Sequence, residues 1–359
     1  MSQHGAVGSN LLKPTMISPS QSTPAVPVGS SDLNQGPTTV PGTSATIGGA
    51  VPQKLPNQPN NTKKKKPKNL YICTWNARTL SEESHLTNLM HEVKHMKWDV
   101  VGLSEVRRPG ENLIETKEHH LLFHKGKESL KQSGVGFLIN KNIKDKVHEL
   151  YGISDRVASL TLKLSNKFDL KIIQVYAPTS TSSDEELETF YEEVTQALDH
   201  QKAQQTIIMG DFNAKIGEGN ESCLGKFAKG SRNDRGDDLV NYCLTNDLLV
   251  ANTFFQKKLS RKWTWRSPNF ETLNEIDYII TSKISNVRNM EVINKVKGSD
   301  HRMVRGTLQI DLQRERKRLF HSNNKPTRIN QLLKNEFQSD LEEQFQQIQT
   351  ISLLLVNKF

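Results

Sequence analysis

The chain has 359 residues, a net charge of +9, 35% hydrophobic residues and a mean hydropathy of −0.60, which is low for one compact body of this length. Its three cysteines, Cys73, Cys223 and Cys243, are odd in number, scattered and without CxxC spacing, which argues against a disulfide framework or a zinc site and for a reducing compartment. No secretory signal is recognisable at the N-terminus, and no segment reaches the roughly 18 apolar residues of a membrane span, so no membrane partner is expected.

Residues 1–62 are rich in Pro, Ser, Thr, Gly and Asn and show no apolar periodicity. Such a segment cannot bury enough surface to offset its ordering entropy, so 1–68 reads as a disordered tail ending in the basic run Lys63–Lys68 (KKKKPK). A strand is expected over Leu70–Trp75. A helix follows with Ser84 as cap and Leu86, Leu89, Met90, Val93 and Met96 on one face. Further strands are expected at Val100–Ser104, Leu121–His124, Val135–Ile139, Arg156–Leu164 and Leu170–Tyr176. Asp184–Leu198 reads as a helix capped by Asp184, with acids in its first turns and Leu187, Phe190, Tyr191, Val194 and Leu198 aligned. Strand Thr206–Met209 and helix Arg235–Asn246 come next. Strands at Val250–Thr253, Lys262–Trp265, Glu275–Ile280, Val287–Asn294 and Met303–Ile310 complete the body. The order is not a strict βαβ repeat; it suits an α/β architecture of two sheets packed face to face with helices outside. Residues 312–359 read as a basic linker followed by an amphipathic helix over Ile329–Ile348.

The positive charge is unevenly placed. The run Lys63–Lys68 supplies +5, Arg314–Arg318 (RERKR) a net +3 and residues 1–62 a net +1, so the remainder is neutral. Two basic flanks on a neutral body suit a polyanion partner or a nuclear import tag. A nuclear location is therefore expected, with the cytoplasm as a second compartment.

Polar residues stand directly after several of the apolar runs: Thr74–Asn76 (TWN), Ser104–Glu105, Gly210–Asn213 (GDFN), Ile276–Tyr278 (IDY) and Ser299–His301 (SDH). Strand ends let a rigid sheet aim such groups into one pocket. Each motif is weak alone, since an acid at a strand end is usually a turn residue. Together they are chemically complete. Glu105 and Asn76 offer hard oxygen ligands for Mg²⁺, with Asp300 and Asp277 adding negative charge. Asp211 beside Asn213 can align and deprotonate a water. His301, kept protonated by Asp277, can stabilise a phosphoryl oxygen, and Tyr176 can donate its hydroxyl to one. The set reads as a metal-assisted site for cleaving a phosphate ester by in-line attack of water.

From Asn69 to about Asp311 the chain resembles the endonuclease/exonuclease/phosphatase superfamily, carrying WN, SE, VYAP, GDFN, IDY and SDH in family order. TWNARTL, VYAPTS, GDFNAKIG and NDRGDDLVNYC look like the apurinic-type endonuclease domain of LINE retrotransposons of the RTE/BovB group. The resemblance implies a four-layer αββα sandwich over 69–311 and Mg²⁺-dependent nicking of DNA, with Mn²⁺ as a substitute ion. It implies Asn76, Glu105 and Asp300 at the metal, Tyr176 on the phosphate, Asp211 as water activator, Asn213 as its orienting partner and Asp277 paired with His301. The basic stretch after Leu312 resembles the linker that precedes a reverse transcriptase, which is absent. Alternatives are a domesticated DNA- or protein-binding remnant and an abasic-site repair endonuclease; a monomer is expected.

Smaller expectations concern the surroundings. Asn233 and Arg235 open a helix where exposed amides favour phosphate, against the plainer reading of an ordinary cap. Trp263 and Trp265 alternate along a strand, so one should face the core. Lys257, Lys258, Arg261 and Lys262 form a basic cluster that suits either a DNA backbone or a solvated loop. Ser267–Asn274 should be a loop beside the cleft.

Overall fold

The computed structural model describes residues 67–128 and 132–323. The chain divides into two units, Met1–Thr62 and Lys63–Phe359, and the described residues all lie in the second. The expectations for the tail up to Lys66 and for the helix Ile329–Ile348 lie outside the described residues.

In chain order the elements are β1 (Asn69–Asn76), α1 (Glu83–Val93), β2 (Val100–Ser104), β3 (Glu111–Glu115), β4 (Leu121–Lys125), β5 (Val135–Ile139), β6 (Val147–Gly152), β7 (Val157–Ser165), β8 (Phe168–Tyr176), α2 (Asp184–Asp199), β9 (Gln205–Asp211), α3 (Asp234–Thr245), β10 (Leu249–Val250), β11 (Trp265–Arg266), β12 (Leu273–Asn274), β13 (Asp277–Thr281), β14 (Val287–Ile293), β15 (Met303–Gln309) and α4 (Leu312–Asn323). One sheet has seven strands in the order β14-β15-β1-β2-β5-β4-β3, and the other has six in the order β10-β13-β9-β8-β7-β6. Both are mixed: β1–β2 and β8–β9 run parallel and their other pairings are antiparallel.

Alternation decides the layers. Within β1, Ile72 joins a core shared with Leu160, Ile172, Ile207 and Ile279 of the second sheet, which is the interface between sheets. Its neighbours Cys73 and Trp75 face the other way, against Leu86, Leu89 and Val93 of α1. The outer face of the second sheet, with Ile173, Ile208 and Ile280, packs on Phe190 and Val194 of α2 and Leu239 and Val240 of α3. The result is the expected four-layer αββα sandwich.

The departures from expectation have physical causes. The edge strands β3 and β6 carry mixed, largely exposed or half-buried residues, so they lack the apolar signature that marks interior strands. The run expected over Val250–Thr253 leaves the sheet after Val250, because Asn252 turns its side chain to the Ile279 N–H and the Asp277 carbonyl. Ser183, not Asp184, caps α2 by accepting from the Glu186 N–H. α1 starts at Glu83 without the expected Ser84 cap. The expected strand Lys262–Trp265 is reduced to a two-residue strand of a small hairpin, β11–β12.

A buried polar cluster joins the two sheets just below one edge. Gln174 of β8 donates from Nε2 to Ser104 Oγ at 2.9 Å and lies 3.2 Å from Thr74 Oγ1, while Ser104 Oγ donates to the Val175 carbonyl at 2.9 Å. All three side chains are fully buried. Gly102 makes room for them: a Cβ there would overlap the Gln174 amide and come within 2.7 Å of the Met209 methyl. Gly102→Ala should therefore cost about 2 kcal/mol through overpacking and a displaced amide. Chemical denaturation checks this, and an unchanged midpoint would show that the two sheets separate freely at this point.

Candidate active site

The register of the second sheet sets Tyr176, Asp211 and Asp277 in one row: Tyr176 pairs with Asp211 across β8–β9 and Asp277 pairs with Asp211 across β9–β13. Residues in register share a face. In the first sheet Asn76 ends β1 opposite Ser104, and Glu105 follows at once. His301 lies just before β15 and bridges to Trp265. Seven of the eight expected side chains are thus brought to one edge: Asn76, Glu105, Tyr176, Asp211 and Asn213 are joined by hydrogen bonds, and the hydrogen-bonded His301–Asp277 pair meets them through an ion pair to Asp211.

Asn76 is the hub. Its Nδ2 donates to Glu105 Oε1 and to Asp211 Oδ2, each at 2.9 Å, and its amide oxygen accepts from the Arg78 N–H. Tyr176 donates its hydroxyl to Glu105 Oε1 at 3.2 Å. Burial, and then the nearby Glu105 and Asp211 charges, push the Tyr176 phenol well above its ordinary range, so it stays a donor. The second Asp211 oxygen accepts the Asn213 N–H at 3.0 Å, and Asn213 Nδ2 donates to the Ala177 carbonyl at 2.9 Å. Two of these residues sit in left-handed backbone, Glu105 at φ 53° and Asn213 at φ 47°. Non-glycine residues held there cost free energy and concentrate where a side chain must be aimed.

His301 lies between two acids. Its Nδ1 donates to Asp277 Oδ2 at 2.9 Å, and its Nε2 is 3.7 Å from Asp211 Oδ2. Burial opposes the imidazolium, but the Asp277 and Asp211 charges outweigh it and raise the His301 pKa to about 10. Burial likewise lifts Asp211 to about 7, with Asp277 adding to the rise and His301, Asn76 and the Asn213 N–H opposing it. Asp277 is fully buried, and its Oδ1 has no hydrogen-bond partner among the described residues.

Asp300 is placed differently. Its carboxylate accepts from Trp265 Nε1 at 3.2 Å, its carbonyl accepts the Arg266 N–H, and no contact joins it to Asn76 or Glu105 among the described residues. It serves as the footing of the β11–β12 hairpin, whose Thr264 hydroxyl also accepts the Asp277 N–H.

The donor set suits a hard cation. Asp211, Asp277 and His301 offer ligand atoms within 4.8 Å of one another, but His301 is held as a cation and so is a poor ligand. The carboxylates do better. Glu105, Asp211 and Asp277 lie at one edge, and among the described residues Arg107 and His301 are the cations paired with them. A divalent ion on oxygen ligands fits that imbalance.

Sequence reasoning missed several supports. Arg107 donates to Glu105 Oε2 at 2.6 Å. Arg156 donates to the Tyr176 carbonyl and stacks on its ring. Nothing in the sequence pattern marks either. Other expectations resolve plainly. Asn233 caps α3 and accepts from Gly236 N–H and Lys215 N–H, and the buried Arg235 is bound to Ser182 and Asp184, so neither is free for phosphate. Neither Trp263 nor Trp265 is fully buried, contrary to expectation: Trp263 carries the Arg302 guanidinium on its face and Trp265 holds Asp300. The basic cluster divides, because Lys262 is buried against Glu275 and the Phe227 carbonyl while Lys257 bonds Asn289.

A family described as endonuclease-reverse transcriptase matches residues 170–305. Craniofacial development protein 2 of Tragulus javanicus is 31% identical over 247 residues, covering 67% of this chain and 42% of that protein. The chain thus spans about two fifths of the length of the curated relatives it matches. Among solved structures, the AP endonuclease LMAP from Leishmania major has a TM-score of 0.51 at 14% identity, covering 67% of this chain and 88% of that one. The 3′ phosphatase NExo from Neisseria, bound to a product DNA hairpin, has a TM-score of 0.50 at 15% identity, covering 67% of this chain and all of the other. At those identities the likeness is one of fold; with the family match over residues 170–305 and the curated relatives, it supports the resemblance to the endonuclease/exonuclease/phosphatase superfamily.

Proposed function

We propose that the chain is a metal-dependent endonuclease that nicks DNA by attack of water on a phosphodiester. The observation that carries this reading is the buried meeting of Asp211 with the His301–Asp277 pair at the sheet edge. Asp211 is fixed through both oxygens and buried, with a basicity near neutral, as suits a group that takes a proton from water. Asp277 holds His301 protonated, so its Nε2–H can donate to a phosphoryl oxygen as charge builds there. Tyr176 offers a second donor, a neutral one.

Glu105, with Asn76 beside it, would hold Mg²⁺, for which Mn²⁺ would substitute; Asp300 would join them only by leaving Trp265. When bound, that ion supplies positive charge to the phosphate oxygens. In the present arrangement Asn76 acts through its amide N–H groups, tying Glu105 to Asp211.

DNA as substrate is supported by the solved relatives, one an AP endonuclease and one holding a DNA hairpin. The rim of the site adds to this. Arg78, Lys215, Arg266 and Arg302 follow or adjoin Asn76, Asn213, Asp300 and His301, and none pairs with a carboxylate among the described residues. A body of neutral total charge can therefore present cations where a phosphate backbone would lie. The LINE-type motifs favour intact DNA, while the fold shared with an AP endonuclease supports abasic DNA as a second substrate. The protein acts as a monomer in this proposal, and Lys63–Lys68 serves as its nuclear address.

The test is supercoiled plasmid with Mg²⁺, scored for nicked circles, with an abasic duplex in parallel. Asp211→Asn should keep the fold by circular dichroism and lose nicking at least about a hundredfold. Equal cutting by that variant would move water activation to another residue. Imidazole NMR should find His301 titrating near 10 in the wild type and lower in Asp277→Asn, because the first of the charges that lift it is gone while Asp211 remains. A His301 that titrates at its ordinary value in both proteins would remove the charged donor from the mechanism.

The hairpin generates one more expectation. Its loop, closed by the Ser267 N–H to the Thr272 carbonyl, carries an exposed Phe270 at φ 63° under the Arg266 guanidinium. Its base is bonded to Asp300 and Thr264 beside the site. Exchanging Ser267–Asn274 should change which sites are nicked and leave the rate on generic DNA nearly unchanged. A cleavage map by primer extension decides, and an identical map would put target choice elsewhere.

A further inference from the structure

Among the described residues, Arg107 is the one cation bonded to Glu105, the acid of the proposed metal-binding side. Glu105 and Arg107 both adopt left-handed backbone, at φ 53° and 54°, which sets side chains two residues apart next to each other. The Arg107 Nη2 donates to Glu105 Oε2 at 2.6 Å, and the two side chains are 40% and 15% exposed. The backbone beneath them is pinned: Arg107 N–H donates to the Ser133 carbonyl at 2.8 Å, Val106 N–H to the Gly134 carbonyl at 3.0 Å, and the Ser133 hydroxyl to Asp155. The guanidinium is not. Glu105 is its only hydrogen-bond partner among the described residues, and its buried Nε has none. Its neighbours differ. Arg108 is tied to the Leu80 carbonyl and Glu83, and Arg156 to the Tyr176 carbonyl.

A fixed carboxylate with a loosely held, half-exposed arginine on one oxygen has two states open to it. We propose that Arg107 is a resident counter-cation of Glu105, which competes with the divalent ion for that carboxylate and, once displaced, binds a phosphate of the DNA strand. The inference rests on the reading of Glu105 as the metal-binding carboxylate of a DNA endonuclease. Arginine suits both states, because one planar fork matches carboxylate and phosphate alike. Two cations beside one carboxylate repel, so Arg107 weakens ion binding by the free protein. A DNA phosphate that draws Arg107 away relieves the repulsion. By linkage, DNA then tightens the ion and the ion tightens DNA, and both effects pass through this side chain. The arrangement keeps the metal site weak until substrate is present.

Two measurements on the full chain test this. Mn²⁺ binding to the free protein, followed by electron paramagnetic resonance, should tighten at least about threefold in Arg107→Gln or Arg107→Ala, the scale of a partly exposed ion pair, and stay near wild type in Arg107→Lys. DNA affinity by fluorescence anisotropy, in an Asp211→Asn background that leaves the duplex intact, should fall on adding Arg107→Gln when Mn²⁺ is present and stay unchanged in EDTA. Either neutral variant suffices if the other does not fold. Unchanged or weaker Mn²⁺ binding in a folded neutral variant overturns the proposal. So does a loss of DNA affinity that is equal with and without Mn²⁺, which would make Arg107 a plain phosphate contact. A wild-type protein that binds no Mn²⁺ at all would instead overturn the metal-dependent reading of the site itself, and this proposal with it.

Discussion

The site depends on how two sheets are held against each other at one edge. Glu105, Asn76 and His301 come from the seven-stranded sheet and its loops; Tyr176, Asp211 and Asp277 come from the six-stranded one. Apolar contact between the sheets is strong but not directional, and it would tolerate a slide of a few tenths of an ångström. The Gln174–Thr74–Ser104 cluster is directional and fully buried. Moving one sheet would strand its polar atoms away from water, at roughly 1–3 kcal/mol for each unpaired group. Gln174 stands two residues before Tyr176 on the same face, and Thr74 and Ser104 stand immediately below Asn76 and Glu105. The cluster therefore fixes the offset between the two halves of the site at the point where that offset matters.

On that frame the electrostatics become intelligible. Asp277 is buried and still faces an imidazole, so it acts through His301 rather than through solvent. Asp211 is buried too, but it is held by two N–H donors and lies within reach of the same imidazole. The two acids thus have different partners, which supports the proposed division in which one sets a charge state and the other takes a proton. Glu105 is the more exposed member and faces the cleft with its oxygens in contact with Asn76, Tyr176 and Arg107. Strained backbone at Glu105 and Asn213 completes the pattern, since each side chain reaches its position only from a left-handed turn.

Charge segregation reconciles a domain of neutral sum with the proposed polyanion substrate. Acids crowd the first turns of α2 and α3, with Asp184, Glu185 and Glu186 on one and Asp234 and Asp237 on the other, where helix N-termini favour them. The cations at the rim of the site have no carboxylate partner among the described residues. Net charge counted along the chain hides this, because the two groups lie within the same stretch of sequence and cancel in the sum.

The sequence by itself determined the class of fold, most interior elements and, of the eight expected side chains, the seven that meet at the sheet edge. Strands such as β2, β5 and β9 are apolar runs buried on both faces, and α2 and α3 carry one apolar stripe, so their patterns do not depend on context. The site residues were legible because each stands at the end of such a strand, where a polar side chain has no packing reason to be. The tertiary structure alone decided what depends on neighbours distant in the chain. Edge strands β3 and β6 pair through backbone groups that side-chain pattern does not encode. Asn252 leaves its strand because Asp277 and Ile279 offer better partners. Lys262 is buried because Glu275 meets it. Asp300 turns to Trp265, and Arg107 turns to Glu105, because left-handed backbone and the packing of the two sheets bring those groups within reach. Local pattern records which face of an element is buried; which charge meets which is settled only when the layers close.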